Sequence, residues 1–207
     1  LSIFMMLFSD VYQEIKDQSI GEYKEKGSKF ISYAFPVYSE KEIKEKLLEI
    51  KKKDHNANHH CYAFVLNPDK SASRINDDGE PAYTAGRSIL SVIQSNNLTN
   101  ILIIVVRYFG GVKLGISGLI RSYKSAASNS ISNVQIIEKK IKEKYEILFK
   151  YEQMNHIMQI IKKNKLEILN TDFKIDCKLT FAVNKNEADI VISHLKQNYK
   201  LSIKPLL

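Results

Sequence analysis

Ile101-Leu102-Ile103-Ile104-Val105-Val106 is an unbroken run of large aliphatic side chains. β-Branched residues are stiff at χ1 and favour the pleated conformation, and a run without a polar position has no face to give to water. The segment Leu98–Val106 is therefore predicted to be a strand covered on both faces. Such a strand needs structure above and below it. A chain of 207 residues, 44% hydrophobic and 26% charged, has the material for that as one large or two small soluble domains.

Other elements follow from shorter patterns. Glu22–Lys26, Gly27 and Ser28–Tyr38 read as two strands joined at a glycine. Ser39-Glu40-Lys41-Glu42 has capping-box spacing and opens a helix that carries Ile43, Leu47, Leu48 and Ile50 and ends near Lys51-Lys52-Lys53. Tyr62–Leu66 is a short apolar strand stopped by Asn67-Pro68, and residues 67–81 read as loop. A helix is expected over Ala85–Ser95 with Thr84 as its N-cap, and another over Leu119–Ile131 with Ala126 and Ala127 facing the sheet. Composition shifts near Asn133–Lys140. Beyond it the patterns give strand Ile141–Tyr151, helix Gln153–Lys163, strand Leu166–Asp172, strand Cys177–Asn184, helix Glu187–Gln197 and strand Leu201–Lys204. That βαββαβ order suggests a ferredoxin-like second domain. The fold class is thus α+β, with domains at 1–135 and 136–207.

Chemistry concentrates between Asn76 and Lys124. Arg107-Tyr108-Phe109-Gly110-Gly111-Val112-Lys113-Leu114-Gly115 leaves the buried strand and enters a helix. Glycines admit close approach or positive φ, a helix N-terminus adds partial positive charge, and Lys113 adds a whole one, so the turn is suited to anions. It is neither a Walker A loop nor Gly-x-Gly-x-x-Gly. A tight packing turn, a phosphate contact and a protein interface all fit it. From Pro81 through Ile137 there is no Asp or Glu, whereas Arg87, Arg107, Lys113, Arg121 and Lys124 fall there. The formal net charge of +8 likewise favours acidic partners.

Asn76-Asp77-Asp78-Gly79-Glu80-Pro81 places three carboxylates within four residues. Such a cluster suits Mg²⁺ or acid–base work, but the residues are also turn formers that cap a following helix and pair with Arg107 or Arg87. His55, His59, His60 and Cys61 invite a zinc reading but have no second ligand cluster. Hydrogen bonds within their own loop, or His60 facing the acidic turn, suit them better. No metal or cofactor is expected. Cys61 and Cys177 read as two buried thiols, not a disulfide framework.

No run approaches the roughly 18 apolar residues that cross a bilayer. Leu1–Phe8 is apolar but lacks a basic flank and a cleavage site, so it makes a poor signal peptide; it reads equally as a remnant ahead of a start at Met5 or Met6. The expected location is the cytoplasm.

These segments, in this order, resemble the signatures of the IMPACT/YigZ family: His60-Cys61-Tyr62-Ala63-Phe64, Asn76–Pro81, Thr84-Ala85-Gly86-Arg87 and Arg107–Gly115. Together they cover most of residues 20–130. The family-motif residues are His60, Asn76, Asp77, Asp78, Gly79, Glu80, Pro81, Thr84 and Gly86. Tyr83 departs from the pattern, since members usually carry a small residue there. The resemblance implies a first domain like the second domain of ribosomal protein S5 and a second like the ferredoxin-like fifth domain of the translocation GTPase. Eukaryotic members restrain a starvation-responsive initiation-factor kinase by binding its activator, with an additional N-terminal module that this chain is not expected to carry.

The leading expectation is a non-enzymatic, translation-linked protein that binds RNA or the ribosome. Arg87, Arg107, Lys113, Arg121 and Lys124 would meet phosphates, Gly110, Gly111 and Gly115 would let backbone approach, and Tyr108 or Phe109 would stack on a base. The alternatives are a protein-interaction module in a translation or stress pathway, and an enzyme using Asp77, Asp78 and Glu80.

Overall fold

The computed structural model describes residues 10–174, 176–196 and 201–206; the reading of Leu1–Phe8 and the last residue of the helix expected to reach Gln197 lie outside them. The chain forms two compact units, one of Tyr12–Lys139 and one of Lys140 onward that also takes in Val11.

In the first unit the strands are β1 (Val11–Ile15), β2 (Ser19–Glu25), β3 (Ser28–Pro36), β4 (His59–Leu66), β5 (Ala72–Asn76), β6 (Ile101–Tyr108) and β7 (Ile136–Lys140), with helices α1 (Glu40–Lys53), α2 (Gly86–Ser95) and α3 (Gly115–Ser132). Five strands form an antiparallel sheet in the order β2-β3-β6-β4-β5, and β1 pairs with β7. The aliphatic run is the central strand β6, and it is buried along Ile101–Arg107. Ile101, Ile103 and Val105 pack with α2 and α3 residues such as Ile89, Ile93, Tyr123 and Ala126. Leu102, Ile104 and Val106 pack on the opposite face with Ile43 and Ile50 of α1. A two-sided cover explains why no polar residue interrupts the run.

Local signals act where expected. Lys26 and Gly27 both have positive φ, as a two-residue hairpin turn between β2 and β3 requires. Ser39 caps α1, accepting from the Glu42 N–H at 3.2 Å, while the Glu42 carboxylate accepts from the Tyr38 N–H at 2.9 Å. Two readings need correction, and two strands went unread. Residues 67–81 are not all loop, because Ala72–Asn76 pairs with Tyr62–Leu66 as β5; its half-exposed edge position left no apolar pattern to read. Strands β1 and β7 also escaped the hydrophobic pattern. Finally, α3 begins at Gly115, a turn before Leu119.

The second unit runs β8 (Lys142–Lys150), α4 (Met154–Lys163), β9 (Glu167–Phe173), β10 (Asp176–Asn184), α5 (Ala188–Lys196) and β11 (Ser202–Leu206). Its antiparallel sheet has the order β11-β8-β10-β9. Ile147, Phe149, Leu179 and Phe181 of the sheet pack with Ile157, Ile161, Val191 and Leu195 of the helices. Cys61 and Cys177 are both free and buried, one in each unit.

Candidate functional site

Sheet register gathers the motifs. His59 lies opposite Arg107 and His60 opposite Val106, while Asn76 lies opposite Tyr62. The acidic turn therefore leaves β5 beside the start of β4 and the end of β6. The Asn76 side chain accepts from the Asp78 N–H at 2.7 Å, and Asp78 and Gly79 take positive φ. Small polar residues and glycine tolerate that left-handed geometry.

Each carboxylate of the turn is engaged inside the protein. Asp77 accepts from the backbone N–H groups of Tyr83 (2.9 Å), Ala85 (3.0 Å) and Gly86 (2.8 Å), so Asp77 caps α2. This corrects the reading of Thr84: Ala85 holds the N-cap position, and the Thr84 hydroxyl donates to the Pro81 carbonyl at 2.7 Å. Asp78 accepts from the His60 N–H at 2.6 Å, and the His60 ring Nδ1 lies 3.8 Å from the same carboxylate. Glu80 is buried and accepts from Arg107 at 2.6 Å and from the Tyr123 hydroxyl at 2.8 Å. A carboxylate with two strong donors suits burial, since a buried charge is tolerated only when paired and hydrogen-bonded.

The histidines are tied to the same frame. His59 Nδ1 lies 2.7 Å from the Asp78 carbonyl, and His60 Nε2 lies 3.2 Å from the Asp54 carbonyl. Among the described residues no group of three or more His, Cys, Asp or Glu is placed to hold a metal ion. The Cys61 thiol donates to the Asp77 carbonyl at 3.0 Å and lies 3.3 Å from the Tyr123 hydroxyl. Burial pushes the Cys61 thiol and the Tyr123 phenol well above their usual ranges, so both stay protonated.

The expected cations divide. Arg107 is only 6% exposed, with its guanidinium 5.6 Å from the ring centres of both Phe30 and Phe109. Of the two expectations for Arg107, pairing with the acidic turn is the one met, through Glu80, and the phosphate-facing one is not. The exposed Arg87 lies over the Tyr83 ring at 4.8 Å, and not on a carboxylate. Arg121 reaches Glu25 at 2.6 Å; Glu25 is held below the ordinary carboxylate range first by the Tyr23 hydroxyl and then by Arg121. Lys113 and Lys124 are exposed. Tyr108 is half-buried and donates to Asp54 at 2.7 Å, whereas Phe109 is 48% exposed.

The glycines divide too. A Cβ on Gly110 would lie 1.9 Å from the backbone of Gly27, so Gly110 seats this turn on the β2–β3 hairpin. Gly111 and Gly115 have positive φ, and nothing lies within 4 Å of where their Cβ would stand. These two leave backbone open to a visitor. α3 then starts with no side-chain cap and no acidic residue in its first turn. Its outer face carries the exposed Ile116, Ile120 and Lys124 at four-residue spacing.

Between the two turns lies a groove of about 360 Å³. Pro81, Phe109, Leu114, Ile116 and Leu119 make it apolar, the buried Glu80–Arg107 pair lies at its base, and the exposed Lys113 stands at its edge. Sequence reasoning found both turns but missed Asp54, His59 and Tyr123 as their supports. Nothing local marks these residues, because their partners Asp78, Tyr108 and Glu80 lie far from them in the chain.

Residues 26–131 match the family model described as Impact N-terminal domain. The IMPACT family member YvyE of Bacillus subtilis is 37% identical over 130 residues, which are 63% of this chain and 60% of that protein. An IMPACT family member of Haemophilus influenzae is 32% identical over 188 residues, 88% of this chain and 89% of its own. A crystal structure described as that of a hypothetical protein superposes over 97% of this chain and 99% of its own, with a TM-score of 0.77 at 23% identity; that likeness speaks to the fold alone.

Proposed function

The chain belongs to the IMPACT family, and from that membership we propose that it is a non-enzymatic, translation-linked protein that binds RNA through its glycine-rich turn. One observation carries the reading. Asp77, Asp78 and Glu80 all accept hydrogen bonds from within the protein, so the surface beside them is left with cations and apolar groups. Exposed Arg87, Lys113 and Lys124, the open backbone at Gly111 and Gly115 and the uncapped start of α3 are the groups that phosphates would meet. The hydrogen bonds on the carboxylates weigh against an acid–base role for them.

We read the first unit as S5 domain 2-like and the second as ferredoxin-like. Supporting the second assignment are its βαββαβ order and a sheet in which the four strands stand in the order fourth, first, third, second. The cytoplasm is the compartment this reading requires.

The test is binding of the full chain to labelled tRNA and ribosomal RNA fragments across a salt series. Affinity should fall steeply with salt, and Lys113→Ala with Lys124→Ala should weaken it and reduce the salt slope by about one per lost phosphate contact. Absent or salt-independent binding overturns the reading. A second reading, a protein partner in translation control, draws on the exposed Phe109, Val112, Ile116 and Ile120. Partners retained from a lysate after nuclease treatment would favour it.

A further inference from the structure

We propose that the groove between the acidic and glycine-rich turns takes one unstacked base of a single-stranded RNA, with Phe109 as its stacking surface and Lys113 on the adjoining phosphate. The inference rests on the RNA reading above and names the part of the RNA that this site holds.

The groove combines two properties that suit different ligands when taken separately. Its walls are apolar, at Pro81, Leu114 and Ile116, which fits any flat or aliphatic group. Its edge is cationic at Lys113, and its one carboxylate, Glu80, is neutralised by Arg107. A ligand matching both has a flat apolar body joined to a negative charge, as a nucleotide does. An acidic peptide offers the charge without a flat apolar body, and an uncharged apolar side chain leaves Lys113 unused.

Phe109 is built for stacking. The Arg107 guanidinium lies 5.6 Å from its ring centre, and the residue is 48% exposed. Base–aromatic stacking is tolerant of sequence because every base has a π-face. Arg107 also lines the groove, and its buried Nε has no hydrogen-bond partner among the described residues. The volume of about 360 Å³ sits at the small end of the range for ligand clefts, roughly 300–1,000 Å³, which is room for one base. Duplex RNA keeps its bases stacked, so only a single strand, loop or end can present one.

The experiment compares a six-nucleotide uridine strand with a strand of the same charge that lacks every base, by fluorescence anisotropy on the full chain. Wild type should bind the intact strand about tenfold or more tightly, as expected for stacked bases. That preference should vanish in Phe109→Leu and in Ile116→Ser, two variants at exposed positions, while Lys113→Ala weakens both strands alike. Equal binding of the two strands by wild type, with Lys113→Ala still weakening both, overturns the base groove and leaves the RNA reading standing. A preference that persists in both groove variants places the base elsewhere and also overturns it. If neither strand, tRNA nor ribosomal RNA binds, the RNA reading falls and takes this inference with it.

Discussion

Glu80 and Arg107 lie 27 residues apart in the chain and meet at 2.6 Å with both side chains under a tenth exposed. The pair fastens the acidic turn to the end of the central strand, and Tyr123 of α3 adds a third point of attachment at 2.8 Å. Three elements that build the groove are therefore held by one carboxylate.

Removing one partner of this pair should be severe. Glu80→Ala or Arg107→Ala leaves an uncompensated buried charge, a loss of about 3–5 kcal/mol. Replacing both by methionine should cost clearly less than the sum of the single changes. Urea unfolding read from the amide exchange of Ile103 and Val105, both fully buried in β6, measures this. Additive losses would show that the two groups do not act as a pair.

Asp77 should matter through backbone and not through catalysis. It satisfies N–H groups of Tyr83, Ala85 and Gly86 at the start of α2. Asp77→Ala should cost about 2 kcal/mol, the upper end for a lost helix cap. Amide exchange should quicken first at Ala85 and Gly86. Unchanged exchange there would refute the capping role.

Tyr83 has φ of +66°, a backbone region that residues other than glycine rarely adopt. An L side chain in that region is strained by roughly 1–3 kcal/mol. Tyr83→Gly should relieve the strain while losing the Arg87 contact, an exposed cation–π pair worth about 0.5–1 kcal/mol, and some chain entropy. The expected result is equal or slightly higher stability by thermal melting. A clear loss would mean that the Arg87–Tyr83 stack outweighs the strain.

The hydrogen bond to Asp54, reinforced by burial, pushes the Tyr108 phenol up to about 12. Since an unfolded tyrosine ionises near 10, the stability this group contributes is whole below pH 10 and is lost as pH rises from 10 through 12. Tyr108→Phe should be less stable at neutral pH, by about 1.5–3 kcal/mol for a hydrogen bond to a charged group. Its stability should also fall less steeply over that window. Urea midpoints between pH 9 and 12 compare the two; parallel curves would contradict the assignment.

The sequence by itself determined the elements whose causes are local. Ile101–Val106 had to be a strand covered on both sides, Ser39 and Glu42 had to open a helix, and Gly27 had to join two strands, because short-range sterics and hydrogen bonds decide each. It also located both turns of the site. What it left undecided was the occupation of each side chain. Arg107 and Lys113 are both cations in one motif, yet register carries Arg107 into an ion pair with Glu80 and leaves Lys113 in solvent. Gly110 and Gly111 are neighbours, yet only Gly110 is covered by another backbone. Asp77 caps a helix that starts nine residues away, a role Thr84 was better placed to fill by spacing alone. Such outcomes depend on which strands pair and which faces are covered, and those are settled by contacts far apart in the chain.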